Sequence, residues 1–127
     1  MMTAAFLVPG KPTPKQRARK GKGGRWYTPK ATADYERLVG LCGLRARATW
    51  TVDAGEPWPM GAAYEVQMRI VPATRRRLDV DNVAKSILDG LNRVLWSDDS
   101  QVVKLTVERA EPSRGPHVSV LVTTRPA

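Results

Sequence analysis

The side chains in this sequence best suited to chemistry are acidic and fall in two short clusters. The first is Arg75-Arg76-Arg77-Leu78-Asp79-Val80-Asp81-Asn82; the second is Trp96-Ser97-Asp98-Asp99-Ser100-Gln101. Carboxylates held close together repel one another unless a cation or shared protons compensate. Mg2+ takes hard oxygen ligands, often one or two protein carboxylates, with water and substrate phosphate completing its shell. Carboxylates that follow a run of arginines therefore suit metal-assisted cleavage of a phosphodiester, with the arginines drawing in the polyanion. If residues 79–81 are extended, alternate side chains share a face about 6–7 Å apart and bracket one ion or serve a pair of them. Lys85 lies one helical turn beyond Asp81 and faces the same cluster. It either makes a surface ion pair with Asp81 or Asp89, or stabilises charge developing on a cleaved phosphate. His117, the only histidine, sits in a turn beside Pro116. With no serine-based constellation either, a metal-bound hydroxide is the nucleophile the sequence supports.

Elements able to position these groups must come from one compact domain, because 127 residues are too few for two comfortable ones. Lys and Arg total 21 against 12 Asp and Glu, a formal charge of +9 with a pI near 10.3. That excess calls for an anionic partner. No apolar run approaches the roughly 18 residues of a membrane span, so nucleic acid is the better partner and no membrane association is expected. The N-terminus lacks the leading charges of a signal peptide. Cys42 is alone, which excludes a disulfide framework and fits a reducing cytoplasm. Cys42 itself reads as a core thiol.

The charge is unevenly spread. Residues 1–30 carry eight basic side chains and no acidic one, all eight between Lys11 and Lys30 and interleaved with Pro12, Pro14, Gly21, Gly23 and Gly24. Such a stretch buries too little apolar surface to order itself and reads as a mobile basic loop over about 10–30. Lys15, Arg17, Arg19 and Lys20 are its candidate phosphate contacts, joined by Arg75, Arg76 and Arg77 downstream. Trp26 and Tyr27 at its end offer faces on which bases stack.

The periodicity predicts a β-α-β-α-β-β order: an α/β (α+β) domain with a small mixed sheet of about four strands and two main helices. A short strand is expected over 3–8. A helix over 32–48 places Tyr35, Leu38, Val39 and Cys42 on one stripe. A connection follows over 49–61, in which Trp50 and Trp58 pack. Tyr64, Val66, Met68 and Ile70 alternate with polar residues as a half-buried strand. Val83, Ile87, Leu91 and Val94 mark a second helix, with Asp81 or Asn82 as its N-cap. Val103, Leu105 and Val107, then Val118, Val120 and Val122, alternate as the last two strands. Trp96 reads as core. Asn82 either caps the helix or orients an aspartate, and capping is preferred. Asp98 either supports Asp99 or caps a turn, and support is slightly preferred. Asp89 anchors Lys85 or makes internal contacts.

Taken jointly, Arg75-Arg76-Arg77, Asp79-x-Asp81-Asn82, Lys85, Asp89-Gly90-Leu91 and Trp96-x-Asp98-Asp99-x-Gln101-Val102 closely resemble the RusA family of Holliday junction resolvases. Pro14-Lys15-x-Arg17 and Tyr27-Thr28-Pro29 resemble its phage and Gram-positive members. The resemblance spans most of the chain. It implies a small α/β homodimer that uses Mg2+, with Mn2+ as a substitute and no small-molecule cofactor, to nick four-way junctions and related branched DNA in recombination and repair. It implies a phage or prophage origin. By position, the catalytic aspartates and metal ligands are Asp79, Asp81 and Asp99, and the important lysine is Lys85; Asn82 and Asp98 are the candidates to support them on the residue readings above. The basic run departs from the family in its last position, where Leu78 replaces one phosphate contact.

The spacing also bears on how the aspartates meet. A helix over 81–95 has ends on the order of 20 Å apart. Asp99 follows by four residues, which at about 3.3 Å each barely retrace that distance. A shared site, with Asp99 of one chain beside Asp79 and Asp81 of another across a two-fold axis, removes the difficulty. Two rival readings are a non-catalytic basic DNA-binding protein whose acids form salt bridges, and an RNA-directed nuclease. A pure binder gains nothing by setting carboxylates against phosphate; composition does not decide between DNA and RNA.

Overall fold

The computed structural model describes residues 1–125. In chain order its elements are β1 (Thr3–Pro9), β2 (Arg19–Lys20), β3 (Trp26–Tyr27), α1 (Lys30–Ala54), β4 (Ala63–Val71), α2 (Val80–Leu91), β5 (Val102–Arg109) and β6 (His117–Arg125), with single 3-10 turns at Lys22–Gly24 and Asp99–Gln101. Four strands form one mixed sheet in the order β1-β6-β4-β5, and β2 pairs with β3 in a separate two-stranded ladder. The fold is therefore α+β, as the periodicity predicts, with a small hairpin inserted after the first strand.

Alternation sets the core. Tyr64, Val66, Met68 and Ile70 of β4 and Val118, Val120 and Val122 of β6 are buried in one cluster with Val39 of α1 and Val83, Ile87 and Leu91 of α2. β6 runs antiparallel to both β1 and β4, whereas β5 runs parallel to β4. Parallel neighbours need a crossover connection, and α2 lies within it. The end of β4 therefore feeds the N-terminus of α2, and the C-terminus of α2 leads back toward the start of β5.

The two helices approach closely because glycine faces each of them. A Cβ on Gly90 would lie 2.8 Å from the Glu36 carbonyl oxygen and from Val39 Cβ, and one on Gly43 would lie 2.5 Å from Leu91 Cδ2. Beside the C-terminal half of α2, Trp50, Trp58, Tyr64 and Trp96 form a chain of ring contacts at centroid distances of 5.4, 6.0 and 5.6 Å. Trp96 is fully buried, and its indole donates to Asn92 Oδ1 at 2.9 Å.

Both helices and the basic segment differ from expectation. α1 runs on through 49–54, part of the expected connection, until Gly55 turns left-handed at φ 71° and its N–H donates to the Thr51 carbonyl. α2 is capped by Asp79, not by Asp81 or Asn82, and it ends at Leu91, short of 95. β5 forms the edge of the sheet, and Val103 and Leu105 on it are 59% and 41% exposed. Within residues 10–30, Arg19 pairs with Tyr27 and Lys20 with Trp26.

Candidate active site

The first acidic cluster is built on the start of α2. Asp79 has extended backbone (φ −81°, ψ 96°) and caps the helix, with Asp81 in the first turn. Residues 79–81 are therefore not a strand segment: the chain turns helical at Val80. Asp79 Oδ1 accepts from the Asn82 N–H at 3.2 Å and Oδ2 from the Asn82 side-chain amide at 2.8 Å. Asn82 thus orients an aspartate rather than capping the helix itself. Each Asp79 oxygen keeps lone-pair capacity for a cation, and Asp81 is exposed beside it. Lys85 is exposed on the next turn. Among the described residues it makes no ion pair with Asp81 or Asp89, so its ammonium is free.

Asp89 is engaged elsewhere. Lys15 lies between the helices, bonding to Glu36 of α1 and, at 3.0 Å, to Asp89 of α2, with each side chain in this trio 24% exposed. The close glycine crossing brings the two carboxylates within reach of one ammonium, and that ammonium offsets their repulsion. Burial opposes the charge on Lys15, but its hydrogen bonds to Glu36 and Asp89 outweigh this and raise its pKa above the usual lysine value. The Lys15 N–H also donates to the Asn82 carbonyl at 2.8 Å, and the Gln16 N–H to Thr32 Oγ1 at 3.0 Å. Lys15 is thus anchored at α2, whereas Arg17, Arg19 and Lys20 are exposed.

Arg75, Arg76 and Arg77 are exposed in the loop from β4 to α2. Arg109, at the end of β5, donates to the carbonyls of Thr74 and Arg76 at 3.3 and 2.6 Å, and Arg75 pairs with Glu111 at 3.0 Å. Beside this loop is a cleft of about 200 Å³ lined by Lys11, Pro12, Thr74, Arg76, Arg77 and Leu78, among others. These basic side chains and the Asp79 cluster thus share one end of the sheet.

The second cluster occupies the other end. Asp98 accepts from the Ser100 N–H at 3.0 Å, and Gln101 Oε1 accepts from the Ser97 and Asp98 N–H groups at 3.0 Å. Asp98 therefore caps a turn rather than supporting Asp99. Hydrogen bonds from the Ser100 side chain and then its backbone lower the Asp98 pKa. Gln101 Nε2 donates to the Met60 and Ala62 carbonyls, both at 2.8 Å, which fastens the turn to the entrance of β4. Asp99 is left exposed at the start of the turn.

Topology separates the clusters. Val102, just after Asp99, pairs with Tyr64 at the start of β4, whereas Arg109 pairs with Ile70 near its end, the end from which the chain proceeds to Asp79. The twelve residues of α2 rise about 1.5 Å each, so the clusters lie on the order of 18 Å apart along the crossover. Among the described residues, no three acidic, histidine or cysteine side chains stand close enough to hold a metal ion. The hard oxygens of Asp79 and Asp81 fit a cation that keeps part of its water shell; Asp99 of the same chain does not join them. His117 opens β6 rather than lying in a turn, and its Nδ1 is 2.9 Å from the Gly115 carbonyl oxygen.

Sequence reasoning missed the positioning roles of Gln101 and Glu36, and it gave Asp89 an internal contact or Lys85 as partner where the structure has Lys15. Gln101 had a signal, its fixed place after the paired aspartates; Glu36 had none, because its partner lies 21 residues away. A family model described as endodeoxyribonuclease RusA matches residues 9–123, spanning both acidic clusters and most of the basic segment. No curated protein matches the chain closely enough to count as a relative.

Proposed function

The chain belongs to the RusA endodeoxyribonuclease family, and on that premise we propose that it cuts four-way DNA junctions using Mg2+ held between two copies of the chain. One observation carries the shared site: the crossover places Asp99 at the opposite end of β4 from Asp79 and Asp81. A two-fold axis reverses direction, setting the Asp99 end of one chain beside the Asp79 end of the other, twice. Two equivalent sites suit a four-way junction, which is resolved by cuts in two strands.

In this reading Asp79 and Asp81 hold the cation with the partner's Asp99. A Mg2+ ion held by these carboxylates would supply activation of a water and offset of charge on the phosphate. Asn82 fixes the Asp79 carboxylate, so less reorganisation accompanies binding. Lys85, with no competing ion pair, faces the charge that develops on the phosphate. Arg75, Arg76 and Arg77 and the exposed cations of the arm hold the flanking phosphates, which makes binding fall steeply with salt. Family membership favours DNA over RNA as substrate and cleavage over binding alone.

The test is incubation with synthetic four-way junctions, forks and linear duplex, each with Mg2+, with Mn2+ or with chelator. Paired cuts in the junction that require the metal are expected, with little cutting of linear duplex. Equal cutting of all three DNAs would remove junction selectivity, and undiminished cutting in chelator would remove the metal. Asp79→Asn, Asp81→Asn and Asp99→Asn should each abolish cutting while junction binding survives.

A further inference from the structure

Of the four tryptophans, Trp50, Trp58 and Trp96 belong to the packed ring chain around Tyr64. Trp26 does not: it is 70% exposed and has no aromatic partner among the described residues. An isolated exposed tryptophan leaves a large apolar face in water, where a ligand can cover it.

Its setting is specific. In the antiparallel β2–β3 ladder, residues directly opposite share a face and successive residues alternate. Lys20 therefore flanks Trp26 on one face, and Arg19 flanks Tyr27 on the other. The hairpin closes through Gly21 N–H to the Arg25 carbonyl at 2.8 Å, with Gly23 and Gly24 at φ 82° and 79°, a conformation only glycine adopts readily. The Tyr27 ring lies over Gly21, 3.4 Å from where a Cβ would stand, so Tyr27 braces the turn while Trp26 projects freely. Lys22 and Arg25 complete a tip with four cations besides Arg19, Lys20 among them with Lys30 at the exit, and the first acidic residue of the chain is Asp34.

The hairpin is also aimed. Its entry is tied to α2 and α1 by the Lys15 and Gln16 bonds to Asn82 and Thr32, and its exit passes through Pro29, the N-cap of α1. Four residues from Gln16 reach Lys20, at most about 13 Å from the anchor, or about four base steps at 3.4 Å. It therefore stands beside the end of α2 that carries Asp79 and Asp81.

We propose that Trp26 is a stacking platform for an unpaired base of DNA, with Lys20 and the cations of the turn holding the adjoining phosphates. Within a duplex every base face is covered by its neighbours, so the ring finds a partner only where a branch or single strand has broken the stack. The hairpin then supplies preference for interrupted DNA that the arginines, which read only charge, do not. This deepens the junction-nuclease reading and rests on it for the location of the branch.

The experiment measures binding in chelator, without cleavage, to an oligothymidylate, a linear duplex and a four-way junction across a salt series. Trp26→Ala should weaken oligothymidylate binding roughly 5- to 150-fold, the span of one stacked base. Duplex affinity should stay within about twofold, and the salt slopes should not change because no charge is lost. Trp26→Phe should recover most of the loss. Wild-type indole emission should be quenched by the oligothymidylate, and that of Trp26→Phe, whose three remaining indoles are packed, should not. Equal losses on duplex and oligothymidylate, or equal quenching in Trp26→Phe, would overturn the proposal. None of these readouts needs cutting, so an inert protein would refute the nuclease reading without touching the platform, and the converse holds.

Discussion

Mixing inactive Asp81→Asn chains with inactive Asp99→Asn chains should restore nicking of a four-way junction to about a quarter of the wild-type level. Carboxylates sharing one Mg2+, at ligand distances of about 2.1 Å, must stand within about 4–5 Å of each other. Along the twelve residues of α2 the clusters of one chain are separated by about 18 Å, a gap no side-chain rotation closes. In a mixed pair built on a shared site, one site carries both lesions and the other carries neither. Random exchange at equal concentrations yields about half mixed pairs, each with one of its two sites intact, which gives the quarter. The assay follows a junction labelled on each strand in turn, with exchange verified by two affinity tags. Single nicks should replace the paired cuts of the wild type. A mixture that stays inert despite proven exchange would refute the reasoning and require an aspartate arrangement within one chain.

Three further outcomes follow from other parts of the molecule. Lys15→Met should cost about 1–3 kcal/mol in denaturant unfolding, because it strands Glu36 and Asp89 against each other, yet leave the salt slope of DNA binding unchanged; Arg17, Arg19 and Lys20 changed together to Ala should flatten that slope with little loss of stability. Gly90→Ala should destabilise by at least about 1–3 kcal/mol in thermal or denaturant unfolding, since the new methyl meets the Glu36 carbonyl and Val39. Because its folded pKa is depressed from 3.8, Asp98 supports its turn above that value and releases it as pH falls below; the Ser100 amide, followed by NMR, should lose its hydrogen-bonded shift in that acid window and not between pH 5 and 8.

Alternation made β4 and β6 legible, because each has one face on the core and one outside. It marked β5 as a strand too, but its valines and leucine alternate equally well, and nothing local records that this strand lies at the sheet edge. The end of α1 was misplaced because Thr49, Thr51 and Val52 are indifferent helix formers, while the stop signal, Gly55, comes later. At the start of α2, Asp79, Asp81 and Asn82 are all good caps, and the choice depends on where the chain leaves β4. The ladder of β2 and β3, two residues each, is too short for any period to register. The candidate site residues were nameable from type and spacing, and the length of the intervening helix already set Asp99 far from Asp79 and Asp81; the parallel pairing of β4 with β5 that fixes the two clusters at opposite ends of the sheet was not legible, because it depends on which strands meet.

The crossover that holds the acidic clusters apart also makes cutting, on the shared-site reading, a question of dosage. A solitary chain keeps its arginines and can coat DNA, yet it carries only part of a catalytic centre. Well below the dissociation constant for pairing, the paired form grows as the square of total chain, so halving synthesis would remove about three quarters of the nicking capacity. A four-way junction that gathers two chains on one molecule raises their effective concentration and assembles the enzyme where it is needed. Ordinary duplex, offering no such meeting place, would be spared at low abundance by arithmetic rather than by an inhibitor.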